Sequence, residues 1–185
     1  MMICGIDEAG RGPIAGPVSV AGVILPEDFP IQILNDSKAL SEKKREEAAA
    51  IIYKKALYVS HIFIDEATID KINILQATMF GMEQVYLDLV AKGAKIDLVL
   101  VDGNKRPSIA CETQAIVKGD AKIVQIMAAS IIAKTMRDSY MKEMALKYPQ
   151  WQFEKHKGYP TKLHRELCAK YGLSPIHRKS FTIKL

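Results

Sequence analysis

Three aspartates each follow a short apolar run of the sequence, and a glutamate stands directly after the first. Asp7 ends the run ICGID and precedes Glu8, Asp102 ends LVLVD, and Asp120 ends AIVKGD. Ligands and catalytic groups collect at the carboxyl ends of strands in open α/β sheets, so neighbouring strands would bring these carboxylates together. Each aspartate alone is also explained by capping the turn after its strand. Three such aspartates, with Glu8 beside the first, favour one shared site.

Clustered carboxylates of this kind need compensation for their negative charge. They repel one another unless one of them stays protonated or a cation lies between them. Oxygen ligands without His or Cys are those that Mg²⁺ and Mn²⁺ prefer. Two such ions activate a water molecule and stabilise the leaving oxygen when a phosphodiester is hydrolysed. The residues alone therefore predict a divalent-metal site.

A glycine-rich segment, GRGPIAGP, follows the first acidic pair. Gly5 and Gly10 have the spacing of the phosphate-binding G-x-x-x-x-G motif, but Arg11 and Gly12 stand where that motif requires Lys and Ser or Thr. Gly10, Gly12 and Gly16 also miss the dinucleotide-binding G-x-G-x-x-G motif by one residue. The segment therefore excludes both nucleotide-cofactor motifs, and a tight hairpin turn remains its plain structural explanation.

The overall composition is that of a single globular domain with a basic balance. The chain has 185 residues and a net charge of +5, which weakly indicates a polyanionic partner such as nucleic acid. Its three cysteines are far apart, without a C-x-x-C pair, which argues against a zinc site or a disulfide framework. No run approaches the ~18 apolar residues of a membrane span, and no secretory pattern is present. We expect a cytoplasmic protein without a membrane partner.

Hydrophobic spacing and capping signals predict the elements that position these residues. Strands are predicted at residues 3–6, 18–25, 57–64, 98–102 and 115–120. Helices are predicted after the N-cap Ser41 and at residues 73–91, 123–148 and 163–171. This order fits a sheet with an antiparallel first half and a parallel second half.

Eight motifs in a fixed order resemble the ribonuclease HII family, the type 2 ribonucleases H of bacteria and archaea. The most specific is GIDEAGRGPIAGPV, near the N-terminus. The others, in order, are DSKALS, INILQAT, VDGN, KGDAK, AASIIAKTMRD, HKGYPT and SPIHRKSF. The resemblance extends from about residue 3 to residue 181, which is nearly the whole chain.

The resemblance implies a ribonuclease H-like α/β fold, with a five-stranded mixed sheet flanked by helices. We expect residues 1–145 to form the catalytic core and residues 146–185 a helical C-terminal segment packed on it. The implied activity is endonucleolytic hydrolysis of the RNA strand of RNA–DNA hybrids, and cutting 5′ of ribonucleotides embedded in duplex DNA. The products would carry 3′-hydroxyl and 5′-phosphate ends. We expect a monomer that serves DNA replication and repair.

The resemblance also assigns the site residues. The family's acidic metal ligands map onto Asp7, Glu8, Asp102 and Asp120, in agreement with the strand-end argument, and the implied cofactor is Mn²⁺ or Mg²⁺, with two ions when substrate is bound. The family's ribose 2′-hydroxyl recognition maps onto Gly10, Arg11 and Gly12, where glycine lets the backbone approach the sugar.

The resemblance also assigns substrate contacts outside these two segments. Tyr159 in HKGYPT matches the family tyrosine that stacks on the deoxyribose after the ribonucleotide, and a half-buried loop aromatic is the alternative. Ser37 and Lys38 match a phosphate-contacting segment, in which Ala39 replaces the second lysine of the commoner DSKKL form.

Two sets of C-terminal residues stay open to more than one interpretation. Ser130, Lys134 and Asp138 share one helix face and either support the site or form a solvated stripe in which Lys134 and Asp138 are paired. His156, His164 and His177 either contact phosphates or lie on the surface.

The adjacency of Asp7 and Glu8 poses a geometric problem. Neighbouring side chains on a regular strand point to opposite faces. For both acids to reach one site, the strand must end or bulge between them, or Glu8 must contribute its backbone carbonyl.

Two other functions are alternatives to ribonuclease HII activity. A ribonuclease HIII is disfavoured because the signature begins close to Met1, and a non-catalytic nucleic-acid-binding module is disfavoured because it would gain nothing from clustered acids near phosphates.

Overall fold

A five-stranded mixed sheet forms the centre of the computed structural model, which describes residues 1–34 and 40–183. The strands are β1 (Ile3–Ala9), β2 (Val18–Ile24), β3 (Tyr58–Ile64), β4 (Leu98–Asp102) and β5 (Thr113–Ile116). Their order across the sheet is β3-β2-β1-β4-β5. The predicted α/β class with a five-stranded mixed sheet is confirmed.

The type of strand pairing within the sheet changes at β1. The pairs β1–β2 and β2–β3 are antiparallel, whereas β1–β4 and β4–β5 are parallel, as the order of predicted elements indicated. The described pairing between β1 and β4 ends at Ile6 and Val101. The two strands therefore separate just before Asp7 and Asp102, and a cleft opens at their carboxyl ends.

Five helices and three single 3-10 turns surround the sheet in the described residues. The helices are α1 (Glu42–Lys55), α2 (Glu66–Ala91), α3 (Val124–Lys147), α4 (Phe153–His156) and α5 (Lys162–Tyr171). The 3-10 turns are Ile31–Leu34, Gly119–Ala121 and Pro149–Trp151. Ser41 caps α1 as predicted, because its side chain accepts a hydrogen bond from the backbone N–H of Lys44.

Helix α2 begins well before its predicted start at residue 73. Asp65 caps its first turn by accepting a hydrogen bond from the backbone N–H of Thr68. The helix is kinked at Asn73, where φ is 69°, and the Asn73 side chain accepts a hydrogen bond from the backbone N–H of Gln76. Residue 73 therefore starts only the second segment of the helix.

Helices cover both faces of the sheet. On the face of α1 and α3 the buried core includes Ala21, Val23, Ile52, Ala129 and Ile132. On the face of α2 it includes Ile6, Val20, Met82, Val85 and Val99.

Helix α3 approaches β1 closely because Gly5 has no side chain. A Cβ atom at residue 5 would lie 2.2 Å from the backbone carbonyl carbon of Gln125, which is closer than real Cβ atoms approach. This contact fixes the first turn of α3 over β1, and it thereby sets where Ser130 and Lys134 lie relative to Asp7.

The chain after α3 folds back onto the loop between β1 and β2. Trp151 and Phe153 pack with Met141 of α3 and anchor the C-terminal part. The backbone N–H of Ile14 donates to the carbonyl oxygen of Gly158 at 2.9 Å. Among the described helices, none has the length and apolarity that a membrane crossing needs.

Candidate active site

A cleft of about 460 Å³ opens where β1 and β4 end. Eight predicted site residues line it: Asp7, Glu8, Gly10, Arg11, Gly12, Asp102, Asp120 and Tyr159. The two remaining predicted site residues, Ser37 and Lys38, lie outside the described residues. The cleft therefore brings acidic residues from three separate segments together with the glycine-rich loop.

Asp7 lies on β1 with 4% of its surface exposed. One of its carboxylate oxygens accepts a hydrogen bond from the backbone N–H of Glu8 at 2.8 Å. Burial raises the pKa of Asp7 well above its ordinary range, and the negative charges of Glu8 and Asp102 raise this pKa further. Asp7 is therefore a buried carboxyl group next to like charges, and a cation in the cleft would stabilise its ionised form.

Glu8 follows Asp7 on an unbroken strand. The pairing of β1 with β2 continues residue by residue through both acids, so the predicted strand end or bulge between them is wrong. Glu8 nevertheless lines the same cleft. Burial raises the pKa of Glu8, the Arg11 charge opposes this shift, and the Asp102 charge adds to it. Glu8 Oε1 lies 3.6 Å from Arg11 Nη1, whereas Oε2 is buried without a hydrogen-bond partner among the described residues.

Asp102 and Asp120 are joined through backbone hydrogen bonds. Asp102 Oδ1 accepts from the N–H of Gly119 at 2.7 Å and from that of Asp120 at 3.3 Å. The prediction that Asp120 ends a strand is wrong, since β5 stops at Ile116 and Lys118 takes a left-handed conformation with φ 57°. Asp120 lies instead in the following 3-10 turn, and the bonds to Asp102 bring this turn to the cleft.

One serine and two basic residues of the helices also line the cleft. Ser130 and Lys134 of α3 and Arg45 of α1 line it. Asp138 is buried and forms ion pairs with Lys134 Nζ at 2.8 Å and with Arg45 Nη2 at 3.2 Å. The predicted pairing of Lys134 with Asp138 is therefore confirmed, whereas the interpretation of this helix face as a solvated stripe is wrong because Asp138 is buried. Arg45 was missed because the charged run EKKREE gives no sign of which basic residue meets Asp138.

The glycine-rich loop depends on its glycines in two different ways. Gly10 has φ +93°, and a Cβ there would lie 2.0 Å from Nε of the buried Arg137. Gly12 has no such backbone constraint, and a Cβ there would lie 3.6 Å from Cε1 of Tyr159, an ordinary contact distance. Gly10 is therefore needed for the fold of the loop, whereas Gly12 leaves space between the loop and the Tyr159 ring.

The C-terminal histidines do not line the cleft. His156, His164 and His177 are 6%, 0% and 2% exposed, so both predicted positions, at phosphates or on the surface, are wrong. The donor atoms of His164, Cys168 and His177 all lie within 4.8 Å of one another, as in a metal site. However, His177 Nδ1 accepts a hydrogen bond from the N–H of Ser174 at 2.8 Å, whereas a neutral imidazole that binds metal through Nε2 keeps a proton on Nδ1. Hydrogen bonding explains this cluster without a metal.

Comparison with known proteins gives the family. The family model described as Ribonuclease HII matches residues 4–184. The chain belongs to the ribonuclease HII family. It is 53% identical over 177 residues to the ribonuclease HII of Shewanella pealeana, with 96% of this chain and 86% of that protein covered.

Solved structures agree with the assignment. The ribonuclease HII of Archaeoglobus fulgidus, solved as a complex with PCNA, is similar with a TM-score of 0.84 and 25% identity, covering 100% of this chain and 97% of that chain. Bst-RNase HIII, solved in complex with Mn²⁺, is similar in fold with a TM-score of 0.82 and 18% identity, covering 98% of this chain and 67% of that one. Ribonucleases HII are endoribonucleases, so the chain is an enzyme, and the non-catalytic alternative is set aside.

The donor groups of this ribonuclease HII cleft fit a hard divalent cation. Its four carboxylates are accompanied by no His or Cys among the described residues that line the cleft. Glu8 Oε2 is a buried oxygen without a hydrogen-bond partner in the described part of the chain. An oxygen-only donor set favours Mg²⁺ or Mn²⁺ over zinc or copper, which prefer sites with nitrogen or sulfur ligands.

Proposed function

We propose that this ribonuclease HII cuts on the 5′ side of ribonucleotides embedded in duplex DNA, as well as within the RNA strand of RNA–DNA hybrids. The products would carry 3′-hydroxyl and 5′-phosphate ends, and removal of ribonucleotides during replication and repair is the matching role. The observation that carries the proposal is that residues 10–12 and Tyr159 line the same cleft as four carboxylates. Recognition of the 2′-hydroxyl would thereby be coupled to the position of the bond that breaks.

The acidic residues Asp7, Glu8, Asp102 and Asp120 would hold the divalent cations, Mn²⁺ or Mg²⁺, with two ions when substrate is bound. Bound ions of this kind supply an acidified water and stabilise the leaving oxygen. Mn²⁺ is also the ion in the Bst-RNase HIII structure. Asp7 is the central ligand in this proposal because its carboxyl group is buried and close enough to Glu8 and Asp102 to interact with the charges of both.

The other cleft residues would place the nucleic acid. Gly12 leaves space for the ribose beside Tyr159, whose ring would stack on the next deoxyribose. Arg45 and Lys134 would neutralise backbone phosphates. The segment with Ser37 and Lys38 would contribute further phosphate contacts.

Cleavage of a DNA duplex that contains one ribonucleotide tests the proposal. The full chain is incubated with the labelled duplex in Mg²⁺, in Mn²⁺ or in EDTA, and the products are separated by size. We expect cutting with at least one metal and none in EDTA. The absence of cutting with both metals would contradict the proposed function.

A pair of matched variants tests the acidic site. Asp7→Asn keeps the size of the side chain and removes its charge, and we expect it to abolish cleavage while leaving duplex binding largely intact. Asp28→Asn makes the same chemical change at an exposed position after β2, whose last residue pairs with Cys4 at the opposite end of β1 from the cleft, and we expect normal cleavage. Near wild-type cleavage by Asp7→Asn would refute the assignment of the metal site.

We also propose that the enzyme acts as a monomer, since a single chain supplies the acidic residues, the glycine-rich loop and Tyr159 of the cleft. The division into a core of residues 1–145 and a C-terminal segment of residues 146–185 is proposed together with it. Contacts of the C-terminal segment with the loop between β1 and β2 support one structural unit.

A further inference from the structure

Arg178, in the SPIHRKSF motif, is fully buried behind the glycine-rich loop. Its guanidinium donates hydrogen bonds to four backbone carbonyl oxygens of that loop. Nε donates to Gly16 at 2.8 Å and Nη2 to Gly10 at 2.6 Å. Nη1 donates to Pro13 at 2.7 Å and to Arg11 at 3.1 Å. One side chain therefore binds four carbonyl groups of the loop from inside the protein.

A second buried arginine, Arg137 of α3, holds the end of the same loop. It is 1% exposed. Its Nε donates to the carbonyl oxygen of Pro17 and its Nη2 to that of Ala15, both at 3.0 Å. Its Nη1 donates to the carbonyl oxygen of Lys157 at 2.8 Å, close to Tyr159 in the chain. The two arginines together bind the carbonyl groups along the loop.

The direction of these carbonyl groups fixes the direction of the neighbouring amides. In a trans peptide unit, the C=O of one residue and the N–H of the next lie in one plane and point in opposite directions. The C=O groups of Gly10 and Arg11 point towards Arg178. The N–H groups of Arg11 and Gly12 therefore point away from Arg178, on the side of the loop that lines the cleft.

These two amides are available as hydrogen-bond donors. In the described part of the chain, neither the N–H of Arg11 nor that of Gly12 donates a hydrogen bond to a protein acceptor. The next amide of the loop differs, since the N–H of Ile14 is occupied by the carbonyl oxygen of Gly158. Two adjacent donors beside the acidic residues suit the oxygen of a ribose 2′-hydroxyl, which accepts hydrogen bonds.

Only arginine can hold four carbonyl groups in this way. Its planar guanidinium presents five N–H donors in a fixed fork, whereas lysine has three donors on one atom. The segment that carries Arg178 is itself fixed to α2 through Asp70. The Asp70 carboxylate accepts hydrogen bonds from the backbone N–H of Lys179 at 3.0 Å and from that of Ser180 at 2.9 Å.

We propose that Arg178 is a positioning residue for sugar selection, because it turns the amides of Arg11 and Gly12 towards the ribose 2′-hydroxyl. This inference rests on the proposed cleavage at embedded ribonucleotides. Arg178 does not touch the substrate. It acts through the conformation of the loop.

Binding selectivity in an Arg178→Lys variant tests the proposal. All proteins carry Asp7→Asn so that the duplex stays intact, and the dissociation constant is measured for a duplex with one ribonucleotide and for the same duplex made only of DNA. We expect Arg178→Lys to reduce the ratio of the two constants by about tenfold, the factor that corresponds to 1.4 kcal/mol. Arg165→Lys makes the same change on the exposed side of α5 and should leave the ratio unchanged.

A purely structural role of Arg178 gives a different result. A variant with a lower folded fraction would lose affinity for both duplexes by the same factor, and an unchanged ratio would overturn the proposal. If Arg178→Lys does not fold, backbone amide resonances of the Asp7→Asn protein provide the second measurement. We expect the amide protons of Arg11 and Gly12 to shift further with the ribonucleotide duplex than with the DNA duplex, and equal shifts would overturn the proposal.

Failure of this inference is distinguishable from failure of the proposed function. A wild-type enzyme that does not cut the ribonucleotide duplex contradicts the proposed function. A wild-type enzyme that cuts it, combined with an unchanged selectivity ratio in Arg178→Lys, contradicts only the role of Arg178.

Discussion

Acidification should destabilise the folded protein through two buried histidines, His164 and His177. His177 Nδ1 accepts a hydrogen bond from the N–H of Ser174, so the proton of this ring is on Nε2. His164 Nδ1 lies 2.9 Å from the carbonyl oxygen of Tyr159 and therefore carries a proton, which leaves its Nε2 as an acceptor. The two Nε2 atoms are 3.0 Å apart, and His177 donates to His164. Both rings are neutral in this arrangement, and each tautomer is fixed by its partners.

The size of the effect follows from the pKa values of these histidines. Burial lowers the pKa of both His164 and His177 from 6.5 to about 4. In the unfolded chain they take up protons near pH 6.5, whereas in the folded chain they resist protonation, so the unfolded state binds more protons between these values. The stabilising contribution is complete above pH 6.5, decreases as the pH falls, and is lost by about pH 4. One histidine shifted in this way contributes about 3 kcal/mol.

Urea unfolding of the wild type and of His177→Gln at several pH values between 7.5 and 4.5 measures this contribution. Buried Asp7 and Glu8 titrate with the opposite sign, because their raised pKa values favour folding at low pH, but both proteins contain them. The contribution of Asp7 and Glu8 therefore cancels when the unfolding free energy of one protein is subtracted from that of the other. We expect the difference to shrink by up to about 3 kcal/mol as the pH falls, since only the wild type retains His177. A difference that stays constant with pH would refute the assignment of a buried neutral imidazole.

Three further predictions concern the loop and the cleft wall. Gly12→Ala should leave the unfolding free energy within about 0.5 kcal/mol of wild type and reduce cleavage at the ribonucleotide at least about tenfold, because the methyl group fills the space towards Tyr159. Denaturant unfolding and initial rates check this pair of values, and a normal rate would contradict it. Gly10→Ala should destabilise by more than about 1 kcal/mol in the same unfolding assay, because φ is +93° and Arg137 leaves no space for a Cβ; unchanged stability would show that the loop can adopt another conformation. Asp138→Asn should lower the free energy of unfolding by about 1–3 kcal/mol, because it leaves Arg45 and Lys134 without their buried counter-charge. Calorimetry at low and high salt measures this change.

Strand ends were predictable from the sequence where the apolar pattern and the strand coincide. LVLVD is a continuous buried strand, so Asp102 lies at its end as predicted. For AIVKGD, the predicted strand up to Asp120 is wrong. Lys118 leaves the extended conformation, and Asp120 reaches the cleft through a turn. Glu8 shows a different limit. Alternation along the strand correctly gives opposite faces for Asp7 and Glu8, but it does not show that Asp102 of the neighbouring strand is near both.

Buried polar residues were the hardest to predict. His164 and His177 occur in a basic segment whose composition is typical of a solvent-exposed surface, and only the tertiary structure buries them. Arg178 is paired with backbone carbonyl groups, and such partners leave no pattern in the sequence. The resemblance to the family indicated the position of the acidic site and of the glycine-rich loop, whereas the two arginines behind the loop are brought there only by the tertiary structure.

Mapping the cut in a duplex that contains one ribonucleotide tests the central claim most directly. The masses of both product fragments are determined after cleavage by the wild-type enzyme in Mg²⁺ or Mn²⁺. Hydrolysis by the acidic cleft predicts a cut on the 5′ side of the ribonucleotide, with a 3′-hydroxyl on the upstream fragment and a 5′-phosphate on the ribonucleotide. A cut on its 3′ side that leaves a 2′,3′-cyclic phosphate would show that the 2′-hydroxyl is the nucleophile and would contradict the account.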